Sequence, residues 1–196
     1  MLGFDIGEWT VRVLEEGLPA LPRRMDASQT VPVAVWRGDR HGAVLFVRLW
    51  RNGRFDSDCA ISERGADGSW EQPMVWGGGP WLDEPLVRSQ SGWEGWPAVW
   101  LGTTGADDVL AVRGAASARV AAIRVEQAGR VSLLPVDSPC GAVVVGVYAG
   151  AGPATLEPVG PDAEVLVGED GQSAAIVTGL GAPLEHERPQ RGAWER

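Results

Sequence analysis

Three dipeptides, Asn52-Gly53, Asp67-Gly68 and Asp170-Gly171, punctuate runs of β-branched and aromatic residues. They constrain the fold more than any other feature of the chain. A two-residue Asn-Gly or Asp-Gly turn accepts positive φ at both positions and joins antiparallel strands into a hairpin. The runs around them, at 30–37, 42–51, 54–62, 131–136, 142–149 and 164–167, have strand length and strand composition. Helical periodicity is rare. Residues 117–128 carry helix start and stop signals, but Ile123-Arg124-Val125-Glu126 alternates apolar with charged and predicts a strand. The fold class read from this pattern is all-β: a β-sandwich, or two packed β subdomains, with a Trp- and Gly-rich irregular excursion over 77–95.

Two-residue turns fix a register. Around Asn52-Gly53 it sets Arg51 beside Arg54, Trp50 opposite Phe55, Arg48 opposite Ser57, Phe46 opposite Cys59 and Val44 opposite Ile61. Around Asp67-Gly68 it sets Arg64 opposite Glu71, Ile61 opposite Met74 and Cys59 opposite Trp76. Strand alternation then gathers Val44, Phe46, Trp50, Phe55, Cys59, Ile61, Met74 and Trp76 on one face of a three-stranded meander. A one-residue slip would reverse the faces. The third turn predicts Val167 opposite Ala174 and Val165 opposite Ile176, and Pro73 marks its strand as an edge or an irregularity.

The expected organisation is an N-terminal segment at 1–29 (strand or short helix, then a Pro-rich link), a β meander with a Trp-rich loop at 30–104, a β subdomain at 105–180, and a flexible tail at 181–196. The runs Val109-Leu110-Ala111-Val112-Arg113-Gly114, Val120 to Gly129-Arg130-Val131, and Gly141-Ala142-Val143-Val144-Val145 make residues 107–166 resemble immunoglobulin-like β modules of uncharacterised actinobacterial proteins. The resemblance covers about a third of the chain. It implies a sandwich fold and no particular function.

All 17 basic residues are arginine, so lysine-dependent phosphate loops and Schiff bases are excluded. With two histidines and two cysteines, a metal centre would need mostly carboxylate ligands. No metal site, cofactor or catalytic residue is expected. Asp56-x-Asp58 begins like a calcium loop, but the later ligands fall at the wrong offsets. Gly171-Gln172-Ser173 lacks a nucleophile elbow. Cys59 reads as a buried thiol packed on Phe46 and Trp76, Cys140 as an exposed one, and His41 as a loose turn residue. A net charge of −9 opposes nucleic acid and anionic membranes. The N-terminus has no basic and apolar leader, which points to the cytoplasm.

Six of the ten tryptophans lie between 70 and 100. Trp76 and Trp100 read as core. Trp81, Trp93 and Trp96, set among Gly and Pro, read as an exposed binding platform. Arg51 and Arg54, brought together at the hairpin tip, read as a site for an anion or acidic partner. The segment 70–76 is echoed at 93–100: both carry Trp-Glu, then Pro-x-Val-Trp. The expected function is a non-catalytic interaction or structural module that binds a protein partner or itself through the Trp-rich loop. The alternative is a carbohydrate-active protein: a sugar-binding module, or a hydrolase using Glu71, Glu84 or Glu94.

Overall fold

The computed structural model describes residues 5–106, 108–169, 171–173 and 175–178. The 181–196 segment expected as a tail lies outside them. The fold is all-β and sandwich-like, with one α-helix among the described residues. Helix α1 (Ile6–Glu16) starts where the Asp5 carboxylate accepts from the amides of Gly7 and Glu8, and ends at Gly17. The strands are β1 (Thr30–Arg37), β2 (His41–Leu49), β3 (Phe55–Glu63), β4 (Val75–Pro80), β5 (Ala98–Ala106), β6 (Val109–Ala116), β7 (Ala122–Gln127), β8 (Arg130–Pro135), β9 (Ala142–Tyr148), β10 (Ala154–Val159) and β11 (Ile176–Thr178). They form three antiparallel sheets: β1-β2-β3-β4, β5-β6-β9 and β11-β10-β7-β8. The boundary expected between 104 and 105 falls inside β5.

The sheets stack as layers, with β5-β6-β9 in the middle. One core joins it to the first sheet through Val33, Leu45, Val47, Cys59 and Ile61 on one side and Val109, Ala111, Ala115 and Val144 on the other. A second core joins its opposite face to the third sheet, where Trp100, Leu110, Val112 and Val145 meet Ile123, Leu156 and Ile176. Every residue of β6 is therefore buried. Helix α1 packs Val13 and Leu14 on the outer face of the first sheet, over Val44, Phe46, Ala60 and Trp70. Arg37 of β1 locks it there by donating to the carbonyls of Leu14 and Val13 in the last turn, both at 2.7 Å.

Burial on both faces corrects the single-face reading. Leu45 stands opposite Cys59, Phe46 opposite Asp58, Leu49 opposite Phe55 and Arg48 opposite Asp56, one residue from the expected register. Val44 and Phe46 thus face the helix, while Cys59 and Ile61 face the middle sheet. The cause is the turn. Gly53 alone takes positive φ, at 83°, and the Gly53 amide donates to the Trp50 carbonyl while the Trp50 amide donates to the Arg54 carbonyl. This is a three-residue loop: a tight turn followed by one left-handed glycine. Asn52 keeps negative φ and uses its side-chain oxygen to accept from the Arg54 amide. The same bonds recur around Gly68 and Gly171. Arg64 accordingly faces Trp70 rather than Glu71, and Val167 faces Ser173. Ala174, its expected partner, lies outside the described residues. Val165 bridges to Val159, and Ile176 pairs with Leu156. After Pro73 the register shifts again, so that Ile61 meets Val75 and Cys59 meets Gly77. A two-residue turn does join β7 to β8, with Ala128 at φ 51° and Gly129 at 72°. This hairpin replaces the helical alternative for 117–128.

Candidate functional site

The outer face of the first sheet is only partly covered. Helix α1 lies mainly against β1, β2 and β3. By register, Val44, Ala60 and Trp76 form one row of this face, Phe46, Asp58 and Gly78 the next, and Arg48, Asp56 and Pro80 the third. Phe46 is under the helix layer, but Trp76 is 63% exposed, and Trp50 and Met74 are each 42% exposed. Trp76 was expected in the core. The flipped register puts it on the side of β4 that points away from the middle sheet.

Charged groups on this face are paired. Arg48 bridges to Asp58 at 3.1 Å and lies over the Trp50 ring, 5.0 Å from its centroid. The Trp50 indole N–H donates to the Asp56 carboxylate at 2.6 Å. Both aspartates of the calcium-like motif are thus engaged with a tryptophan and an arginine. Among the described residues, no group of three or more His, Cys, Asp and Glu side chains could hold a metal ion.

The three tryptophans of the expected platform are buried or half-buried. Trp81 is 4% exposed and belongs to the core between the first and middle sheets. It leaves β4 with its amide donating to the Phe55 carbonyl, which turns the ring inward. Trp93 is half-buried against the same core. Trp96 is half-buried too, and its backbone pairs with Trp93 in a tight turn. Arg51 and Arg54 are exposed, but Trp50 rather than Arg51 stands opposite Arg54. Glu71, Glu84 and Glu94 are all exposed. The echoed segments do correspond: Val75 and Val99 both pack on the first core, while Trp76 turns to solvent and Trp100 into the second core.

Two buried polar groupings escaped the sequence reading. His41 opens β2 and is 1% exposed, with Nε2 3.3 Å from an Asp108 oxygen and Nδ1 enclosed without a partner. Arg40 reaches Glu63 at 2.6 Å and Asp108 at 3.3 Å beside it, which ties β2 and β3 to the turn before β6. Burial and the nearby Asp39 and Asp108 push the Tyr148 phenol up. The second grouping lies inside the first core. Arg113 of β6 is 5% exposed, beside Cys59 and Thr104. Burial pushes the Cys59 thiol up from 9.0 to about 12, against the opposing pull of Arg113 and a hydrogen bond with Thr104. Cys140 is also buried, contrary to the exposed thiol expected, with Sγ 3.2 Å from Ser138 Oγ, which donates to the Val33 carbonyl.

No protein-family model, curated protein or solved structure matches this chain. No helix of the described residues is long and apolar enough to cross a membrane.

Proposed function

We propose that the protein is a non-catalytic interaction module that engages a protein partner through the outer face of its first sheet, at Trp50, Met74 and Trp76, and not through Trp81, Trp93 and Trp96. One observation carries this reading: three large apolar side chains, with Arg48 among them, are exposed on that outer face. Trp, Met and Arg are the residue types enriched at protein interfaces, and tryptophan is a common hot-spot anchor. From Trp76 to Trp50 the register spans six residues and two strands, about 22 Å at 3.3 Å per residue and 4.8 Å per strand. That suits a macromolecular partner better than one or two sugar rings.

The immunoglobulin-like reading belongs with this proposal. From β5 to β11 there are seven strands. The first, second and fifth form one sheet and the third, fourth, sixth and seventh the other. That division across two packed sheets supports an immunoglobulin-like sandwich over 98–178, with the first sheet and helix docked on its three-stranded side.

The test is site-specific photocross-linking in the protein's own cells. Benzoylphenylalanine at position 76 is expected to give a discrete protein adduct that weakens when Trp50 is also changed to Ala. The same probe at Val131, exposed on the third sheet, serves as the control. No adduct at 76, or the same pattern at both positions, overturns the proposal. Saturable glycan binding that Trp76→Ala abolishes would replace it with the carbohydrate reading.

A further inference from the structure

Arg113 is the least explained charge in the molecule. Its side chain crosses the core between the first and middle sheets, and Nε is enclosed with no acceptor. Its one hydrogen bond is a long 3.5 Å contact from Nη1 to Thr104 Oγ1. Among the described residues no carboxylate forms an ion pair with it. The nearby Asp58 is held by Arg48 at 3.1 Å. The Cys59 thiol stays protonated and supplies no counter-charge. A buried guanidinium normally has a partner, because its desolvation costs several kcal/mol when nothing offsets it.

The backbone around it is cut to fit the cation and leaves a seam. The guanidinium points at the junction of β4 and β5, the facing edges of two sheets, which are joined there by Thr104 Oγ1 donating to the Gly77 carbonyl at 3.2 Å. A Cβ at Gly79 would stand 2.8 Å from Nη2, and one at Gly102, at the β5 bulge, 2.7 Å. The run Gly77-Gly78-Gly79 brings no side chain to this junction. The sequence thus keeps the one stretch of edge strand that faces the guanidinium bare, and supplies no anion of its own.

We propose that Arg113 is the anchor of an anion-binding site at the β4–β5 seam, which takes a small oxyanion, phosphate or carboxylate, against the guanidinium between Gly79 and Gly102. A planar guanidinium presents paired donors matched to such a group, and low local polarity strengthens the bond. This site is separate from the Trp76 face, and either reading can fail without the other.

The experiment measures the thermal midpoint of the full chain at constant ionic strength as chloride is exchanged for inorganic phosphate in one arm and acetate in the other. Line broadening of the free phosphate ³¹P signal gives a second readout. The wild type is expected to show a saturable rise in Tm, roughly 5–10 °C at a hundredfold excess over Kd, with one of the two anions. Arg113→Met, which keeps the length and removes the charge, should abolish both the rise and the broadening. Gly79→Ala should do the same, because the displaced atom is the free end of a side chain and the fold can yield there. A rise of equal size in all three proteins would be a general salt effect and would overturn the proposal, as would no saturable rise in the wild type. If Arg113→Met does not fold, Gly79→Ala decides alone.

Discussion

Replacing Gly146 with alanine should cost close to 3 kcal/mol, because its new Cβ would enter the space that the Trp36 ring occupies. Gly146 lies in the middle sheet, and the Trp36 indole of β1 rests directly on its Cα. A Cβ there would stand 2.2, 2.3 and 2.5 Å from three ring carbons, where ordinary carbon contacts are about 3.5–4.0 Å. The ring cannot simply retreat. Gly38 also closes in on the ring, where an added Cβ would be 2.8 and 2.9 Å from ring carbons, and the Tyr148 ring centroid is 6.1 Å away. Overpacking in a core costs about 1–3 kcal/mol, and a ring with two glycines and a phenol packed against it belongs at the upper end. The midpoint of thermal unfolding should fall by roughly 6–12 °C. Urea unfolding of the single variants Gly146→Ala and Trp36→Leu and of the double variant measures the coupling. With the ring gone, the alanine should cost under about 1 kcal/mol, which leaves a coupling of about 2 kcal/mol. Additive single costs, within about 0.5 kcal/mol, would refute the claim that Trp36 and Gly146 share one space.

Four further outcomes are expected. Ala128→Asn should stabilise the protein by about 1 kcal/mol in urea titrations, since Ala128 takes a positive φ that penalises alanine and Asn-Gly accommodates. Arg37→Met should cost about 1.5–3 kcal/mol, with accelerated amide exchange confined to the helix, because two charge-assisted bonds to its last carbonyls are lost. Acrylamide should quench the wild type more than Trp76→Phe, while Trp81→Phe should leave the quenchable part of the emission unchanged. The Cys59 thiol has a folded pKa above its ordinary value, so between pH 9.0 and about 12 the unfolded chain loses a proton that the folded chain keeps. Stability contributed this way is intact below pH 9 and falls by about 1.4 kcal/mol per pH unit above it. Cys59→Ala should flatten that slope, and native Cys59 should resist thiol reagents at pH 8.

The strand content was legible in the sequence because short β-branched runs between turn residues have few other solutions. The register was not. Asn52 and Asp67 can turn a chain either by entering positive φ themselves or by bonding a side-chain oxygen to the residue two positions on, as both do here. The second choice adds one residue to the loop, and period-2 geometry converts that residue into a reversal of faces. A signal for the true arrangement was present in Ala43-Val44-Leu45-Phe46-Val47. An unbroken apolar run means burial on both faces, not one. The misplaced platform follows from the same step. Trp76 leaves the core when the face reverses, and Trp81, among prolines and glycines, enters it. Arg113 sits inside an otherwise apolar strand, which reads as an ordinary alternation until both faces of that strand are known to be covered.

The middle sheet also sets the order in which this chain becomes safe from aggregation. Its strands β5 and β6 are synthesised before β9, and the β7–β8 hairpin comes between them. When residue 116 has been made, the first sheet can pair its four strands, but the layer that covers its inner side is one strand short. The other face of β6 waits for β7, β10 and β11. A nascent chain at this stage displays two apolar surfaces that only later residues can cover, the condition in which chaperones are recruited. Ribosome-bound chains that have exposed residues up to 116 should therefore be held by a chaperone, and those that have exposed residues past 178 should be released.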